Sequence, residues 1–215
     1  MKRTVSWLGL IAVCWVTPVA AQSPEMTFFV TSRGPGNGAN LGGLEGADRF
    51  CTELAREAGA GDKIWRAYLS TMTTATAPAI NARDRIGNGP WHNFAGVLIA
   101  RNPADLHSEA ANLTKATILT EKGAPVNGRG DSPNMHDILT GSQQDGTAFP
   151  GSDDTTCGNW TWSGEGSARV GHHDRQGGGE FPTSWNSAHG SRGCSQQNLV
   201  ATGGNGFFYC FAVGR

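Results

Sequence analysis

Apolar residues recur at helical spacing most clearly between positions 47 and 58, where Ala47, Phe50, Cys51, Leu54, Ala55 and Ala58 share one face. Asp48, Arg49, Glu53, Arg56 and Glu57 cover the opposite face, and Gly59 provides a C-terminal stop. That pattern predicts the one main helix of the chain. The remaining apolar runs have strand length. MTFFVTS at 26–32, WRAYLS at 65–70, GVLIA at 96–100 and GFFYCFAV at 206–213 predict strands, the last of them closing the domain. NWTWS at 159–163 alternates polar and aromatic residues as a half-buried strand would, with Trp160 and Trp162 on one face. Between these segments, 33–43 is a Gly/Asn/Pro loop, 71–78 an exposed Thr/Ala loop, and 81–89 polar and turn-rich. Residues 102–154 show little periodicity, with short extended pieces near Ile118 and Ile138. Residues 164–193 read as loop and carry three of the six histidines.

The first residues change the picture of where the chain works. Lys2 and Arg3 precede an apolar stretch over 5–16, Val19-Ala20-Ala21 offers small residues for cleavage, and polar Gln22-Ser23-Pro24 follows. This predicts a signal peptide over 1–21 and a mature domain over 22–215, secreted or periplasmic. Lipid attachment at Cys14 is the weaker alternative, because Val13 is bulky and the small-residue site lies further on. No later run is long enough to span a membrane. The roughly 190 residues left are enough for one domain with a real core. The 31 glycines and the low share of charged residues, 16%, favour a loop-rich β or α+β domain over a helical bundle. A net charge of −1 without a basic run gives no electrostatic reason for a nucleic-acid or anionic-membrane partner.

Beyond the leader the cysteines are Cys51, Cys157, Cys194 and Cys210, an even set that predicts two disulfides in an oxidising compartment. Three connectivities are open. The nested one, Cys51–Cys210 outside and Cys157–Cys194 inside, is the expected one: it would tie the first helix to the last strand and close the base of a long loop. Such closures are worth about 5 and about 4 kcal/mol in the chain-entropy picture. A zinc site made of the four thiols is disfavoured, because no Cys-x-x-Cys pair occurs.

The order of parts resembles a known superfamily. Gly46-Ala47-Asp48-Arg49-Phe50-Cys51 followed by Arg66–Ser70 is similar to the opening of endostatin-like domains and of bacterial secreted proteins of the C-type-lectin-like superfamily. Cys157-Gly158-Asn159-Trp160-Thr161 resembles its cysteine-plus-tryptophan element. Ser184-Trp185-Asn186 resembles the strand before its third cysteine, and Phe208-Tyr209-Cys210-Phe211 its final strand. The resemblance spans nearly all of the mature chain. It implies an α+β C-type-lectin-like fold with a mixed, twisted sheet, few helices and long irregular loops, and it implies the nested disulfides as well. It does not imply calcium-dependent sugar binding. Trp185-Asn186-Ser187 lacks the second carboxylate of the Trp-Asn-Asp triplet, and neither Glu-Pro-Asn nor Gln-Pro-Asp occurs, Glu180-Phe181-Pro182 being the nearest.

The expected function is non-enzymatic recognition of a carbohydrate or an extracellular protein through the loops at 127–140 and 171–189. Arg129, Asp131, His136, His172, Asp174 and Asn186 are the candidate contacts. Trp91, beside Pro90, His92 and Asn93 in polar sequence, is a candidate for stacking on a sugar ring. No cofactor is required by this reading, and zinc or calcium is the ion these residue types would admit. The alternative is a zinc-dependent hydrolase using His172, His173 and His189, all held between Cys157 and Cys194. Adjacent histidines of a strand face opposite ways, so His172 and His173 could both ligate only from a bent loop. Hydrogen bonding that orders a Gly-rich loop is the expected role for the pair. A rigid cell-envelope domain without a diffusible ligand is the third reading. Arg129-Gly130-Asp131 matches an integrin-read tripeptide, but three residues carry little information. No Gly-x-Ser-x-Gly elbow accompanies Ser191 or Ser195, and Asp153-Asp154 reads as a solvated pair.

Overall fold

The computed structural model describes residues 23–214, so the predicted leader and Cys14 lie outside the described residues. The elements run β1 (Phe28–Val30), α1 (Gly43–Glu57), β2 (Ile64–Ala67), α2 (Ala82–Arg85), β3 (Trp91–His92), β4 (Leu98–Ala100), α3 (Pro103–Leu106), β5 (Asp137–Leu139), α4 (Cys157–Trp160), β6 (Arg169–His172), β7 (His189–Gly190), α5 (Gln196–Thr202) and β8 (Gly204–Gly214). The architecture is α+β. Its main sheet runs β1-β8-β5-β6-β7, with β2 also on β8, and β3 and β4 form a separate pair. The sheet is mixed: β5 lies parallel to β8, and the other pairings are antiparallel.

β8 is the spine, and its alternation builds two cores. Phe208 and Cys210 face the layer under α1, with Phe29, Ala47, Leu54, Trp65, Leu139 and Trp160. Phe207, Tyr209 and Phe211 face the opposite layer, with Phe28, Tyr68, Trp91, Ile138 and Trp185. Both predicted disulfides are present in the nested pairing. Cys51–Cys210 fastens α1 to β8, Cys157–Cys194 closes the loop that carries β6 and β7, and the Cα–Cα separation is 5.7 Å in each. Among the described residues no helix is long and apolar enough to cross a membrane.

Three expectations need correction. Asp48 does not lie on the solvent face of α1. It is 8% exposed, accepts the Ala67 N–H at 2.9 Å, and pairs with Arg66 at 2.8 Å and Arg85 at 2.7 Å. A carboxylate can be buried there because guanidinium and backbone donors replace its water. Residues 159–163 are not a strand. Cys157, Gly158, Asn159 and Trp160 all have positive φ, so the chain coils tightly and sends the two indoles apart. Trp160 is buried and donates Nε1–H to the Ser70 carbonyl, whereas Trp162 is 55% exposed. Finally, 164–193 is not all loop. It contributes β6 and β7 to the sheet, while 184–186, expected as a strand, is irregular. The helix α5 was not expected. Ser195 caps it, its side chain accepting the Asn198 N–H.

Candidate metal centre

The strand register gathers three segments that are far apart in sequence. Asp137, the first residue of β5, lies directly opposite His172, the last residue of β6. His189 opens β7 opposite Val170, which makes it the diagonal neighbour of His172. His136 enters from the residue just before β5. The outcome is three imidazoles around one carboxylate. Asp137 Oδ1 stands 3.3 Å from His136 Nε2, 3.3 Å from His172 Nε2 and 3.6 Å from His189 Nε2. His136, Asp137 and His172 bring ligand atoms within 4.8 Å of one another. His189 joins that set through Asp137 and through His172, whose Nε2 is 2.9 Å from its own.

The outer nitrogens decide the tautomers. His136 Nδ1 faces Asp174 Oδ1 at 3.2 Å, His172 Nδ1 faces the Pro182 carbonyl at 2.7 Å, and His189 Nδ1 faces the Gly190 carbonyl at 3.0 Å. Each of those partners can only accept, so each Nδ1 must carry the proton and donate it. A ring that carries only that proton turns its Nε2 lone pair toward Asp137. Asp137 itself has a side chain only 2% exposed, and neither of its oxygens meets a donor in hydrogen-bond geometry. Four lone-pair donors thus face one another in a nearly dry setting. That arrangement is costly unless a cation lies among them.

Other groups hold the four in place. Burial pushes the Asp174 carboxyl upward, but His136 and the N–H groups of Arg129 and Gln176 outweigh it and hold its pKa below the ordinary range. Burial likewise lowers the His172 pKa, and the Asp137 carboxylate with the Pro182 carbonyl more than reverses it, so the net shift is upward. Bare backbone from the Gly-rich loop lies against the rings. A Cβ at Gly177 would come within 2.2 Å of His172 Cε1, so that position takes no side chain. A pocket of about 540 Å3 opens above the cluster and is lined by Arg129, Asn134, His136, His172, His189 and Arg192, with the glycines between them.

The candidate residues named from the sequence are placed as follows. His172 and His189 converge. His173 does not: its side chain leaves from the other face, its Nε2 hydrogen-bonding to the Asn127 carbonyl at 3.0 Å. His136 is a member of the cluster, and Asp174 supports it from behind. Arg129 is exposed at the pocket rim. Asp131 is tied to Lys115 and to the Gly128 N–H, which withdraws the Arg-Gly-Asp carboxylate into its own turn. Asn186 is buried and spends its amide on Tyr68 Oη and the carbonyls of Gln143 and Gln144. It is therefore part of the frame. Trp91 is also buried, packed edge-on against Phe211, and has no free face to offer a sugar ring. Asp137 is the member that sequence reasoning missed. Its signal was a His-Asp pair immediately ahead of the apolar Ile138-Leu139, the extended piece already expected there.

The donor set, three imidazoles and one carboxylate, suits zinc and neighbouring transition metals. It does not suit calcium, which requires six or more oxygens. No protein-family model matches the sequence, and no curated protein matches it either.

Proposed function

We propose that this protein is an exported, metal-binding recognition module whose centre, His136, Asp137, His172 and His189, holds a zinc-class divalent cation at the floor of a ligand pocket. One observation carries the reading: a buried carboxylate with no hydrogen-bond donor faces the Nε2 atoms of three histidines whose Nδ1 atoms each lie against an acceptor oxygen. Distances support it. Zinc–nitrogen bonds near 2.0–2.1 Å place tetrahedral ligands roughly 3.3 Å apart, and the separations from Asp137 Oδ1 are 3.3, 3.3 and 3.6 Å. The acceptors behind each Nδ1 orient the rings in the manner that metal-ligating histidines need. The rings of His136 and His172 stack at 4.3 Å with 8° between planes, and His172 Nε2 is only 2.9 Å from His189 Nε2. Admitting an ion would therefore require His136 or His172 to tilt and the His172–His189 pair to part by a few tenths of an ångström.

Binding is favoured over turnover. No carboxylate lines the pocket, and Asp174 is engaged by His136 and Arg129, which leaves no evident general base for a metal-bound water. The C-type-lectin-like resemblance of the sequence and the two disulfides favour an export route and a scaffold that presents loops. Calorimetric titration of tag-free protein with Zn2+ tests the reading. Saturable binding at one site, lost in Asp137→Asn and His172→Ala, supports it; heat no larger than the variants give refutes it.

A further inference from the structure

We infer that the pocket above this centre takes an oxyanion, a carboxylate, sulfate or phosphate group, clamped between the bound metal and the guanidinium groups of Arg129 and Arg192. The inference rests on the metal reading and names the ligand class that reading leaves open. Arg129 and Arg192 line the same pocket as the three histidines, from loops on different parts of the chain. Both are exposed. Neither has a carboxylate within ion-pair distance among the described residues, a state they share with Arg56 and Arg83, but they are the two that line this pocket.

The charge balance points the same way. Asp137 and Asp174 lie beneath the pocket, and no acidic side chain lines its wall. A divalent ion together with two guanidinium groups therefore leaves an excess of positive charge facing solvent. A cationic ligand would be repelled, whereas an oxyanion can both add a fifth ligand to the four-coordinate metal and accept guanidinium N–H bonds. Asn134, also in the lining, adds a side-chain amide.

The two arginines are positioned through backbone bonds. The Arg129 N–H donates to Asp174 Oδ2, and Asp174 Oδ1 accepts the His136 Nδ1 proton, so one carboxylate fixes both a metal ligand and the rim arginine. The Arg192 N–H donates to Thr202 Oγ1 at 3.0 Å. Removing either side chain leaves those backbone bonds intact, so the Arg-to-Ala variants keep the frame.

The test uses the full mature chain loaded with Co2+, whose visible spectrum reports its ligands. Acetate, sulfate and inorganic phosphate are titrated separately at low ionic strength. At least one should shift the cobalt bands saturably, and the three arms distinguish which oxyanion is preferred. Arg129→Ala with Arg192→Ala should weaken that response roughly tenfold or more and leave cobalt binding unchanged, while Arg129→Lys with Arg192→Lys should retain part of it. Cobalt binding without any anion response, or an anion response indifferent to the double alanine variant, overturns the inference and leaves the metal reading standing. Failure to bind cobalt at all overturns both.

Discussion

His172 Nε2 and His189 Nε2 stand 2.9 Å apart while the Nδ1 atom of each ring is bonded to a carbonyl oxygen. Two lone pairs cannot share that distance unaided. Either one ring holds a second proton or a metal ion joins them, and each alternative has its own pH and mutational behaviour.

Replacing Asp137 separates the two most sharply. In the metal-free chain at a pH high enough to deprotonate His172, whose pKa is raised, Asp137→Asn removes a buried charge that has no donor. The variant should then be more stable than the wild type by about 1–3 kcal/mol, yet unable to bind zinc. Urea unfolding in the presence of a chelator measures the first effect. A destabilised variant would mean that the carboxylate is already satisfied by a protonated histidine.

The pH dependence has a defined sign. The His172 pKa is raised in the folded chain because Asp137 and the Pro182 carbonyl outweigh burial. A raised pKa contributes stability that is complete below the unfolded value, about 6.5, and is lost as pH climbs through the folded value. Metal-free protein should therefore lose this contribution as pH rises above about 6.5 and through the raised folded-state value. Zinc competes with the same proton, so its stabilisation should grow over the same window. The thermal shift produced by saturating zinc should be larger at the upper end than at the lower; equal or inverted shifts would contradict the assignment.

The inner disulfide should matter to the metal and the outer one to the fold. Cys157–Cys194 closes the segment that carries His172 and His189, whereas Cys51–Cys210 joins α1 to β8 far from the site. Replacing the inner pair by serine should weaken zinc roughly tenfold through lost preorganisation. Replacing the outer pair should cost about 2–5 kcal/mol of stability and leave the affinity of the folded fraction unchanged. Equal effects on both quantities from both variants would break this division.

Asp48 predicts a purely structural loss. Its carboxylate binds Arg66, Arg85 and the Ala67 N–H at the junction of α1, β2 and α2. Asp48→Asn leaves a partly buried Arg85 short of its counter-charge and should cost about 3–5 kcal/mol, with zinc binding by the folded protein unaltered. A variant within a few tenths of the wild type in chemical denaturation would contradict that role.

Much of the frame was legible because its signals are local. The α1 face, the alternation of Phe207, Phe208, Tyr209, Cys210 and Phe211, and the even cysteine set each announce themselves within a few neighbours. Trp160 and Trp162 mislead because alternation is evidence for a strand only when φ is negative, and four successive residues there have φ above zero. The site was legible by halves. His172 and His189 shared a disulfide-closed loop and could be grouped from sequence, but their partners Asp137 and His136 come from outside it, brought in by the pairing of β5 with β6. Nothing in the spacing of 137 and 172 encodes that register. His173 was grouped by adjacency, which in a strand is the wrong kind of nearness.

The central claim is tested most directly by X-ray absorption at the zinc edge on tag-free protein reconstituted and then dialysed. The prediction is about one zinc per chain, with a first shell of nitrogen and oxygen near 2.0 Å, imidazole outer-shell scattering and no sulfur. Zinc absent after dialysis, or a shell dominated by sulfur at about 2.3 Å, would contradict the assignment of His136, Asp137, His172 and His189 as its ligands.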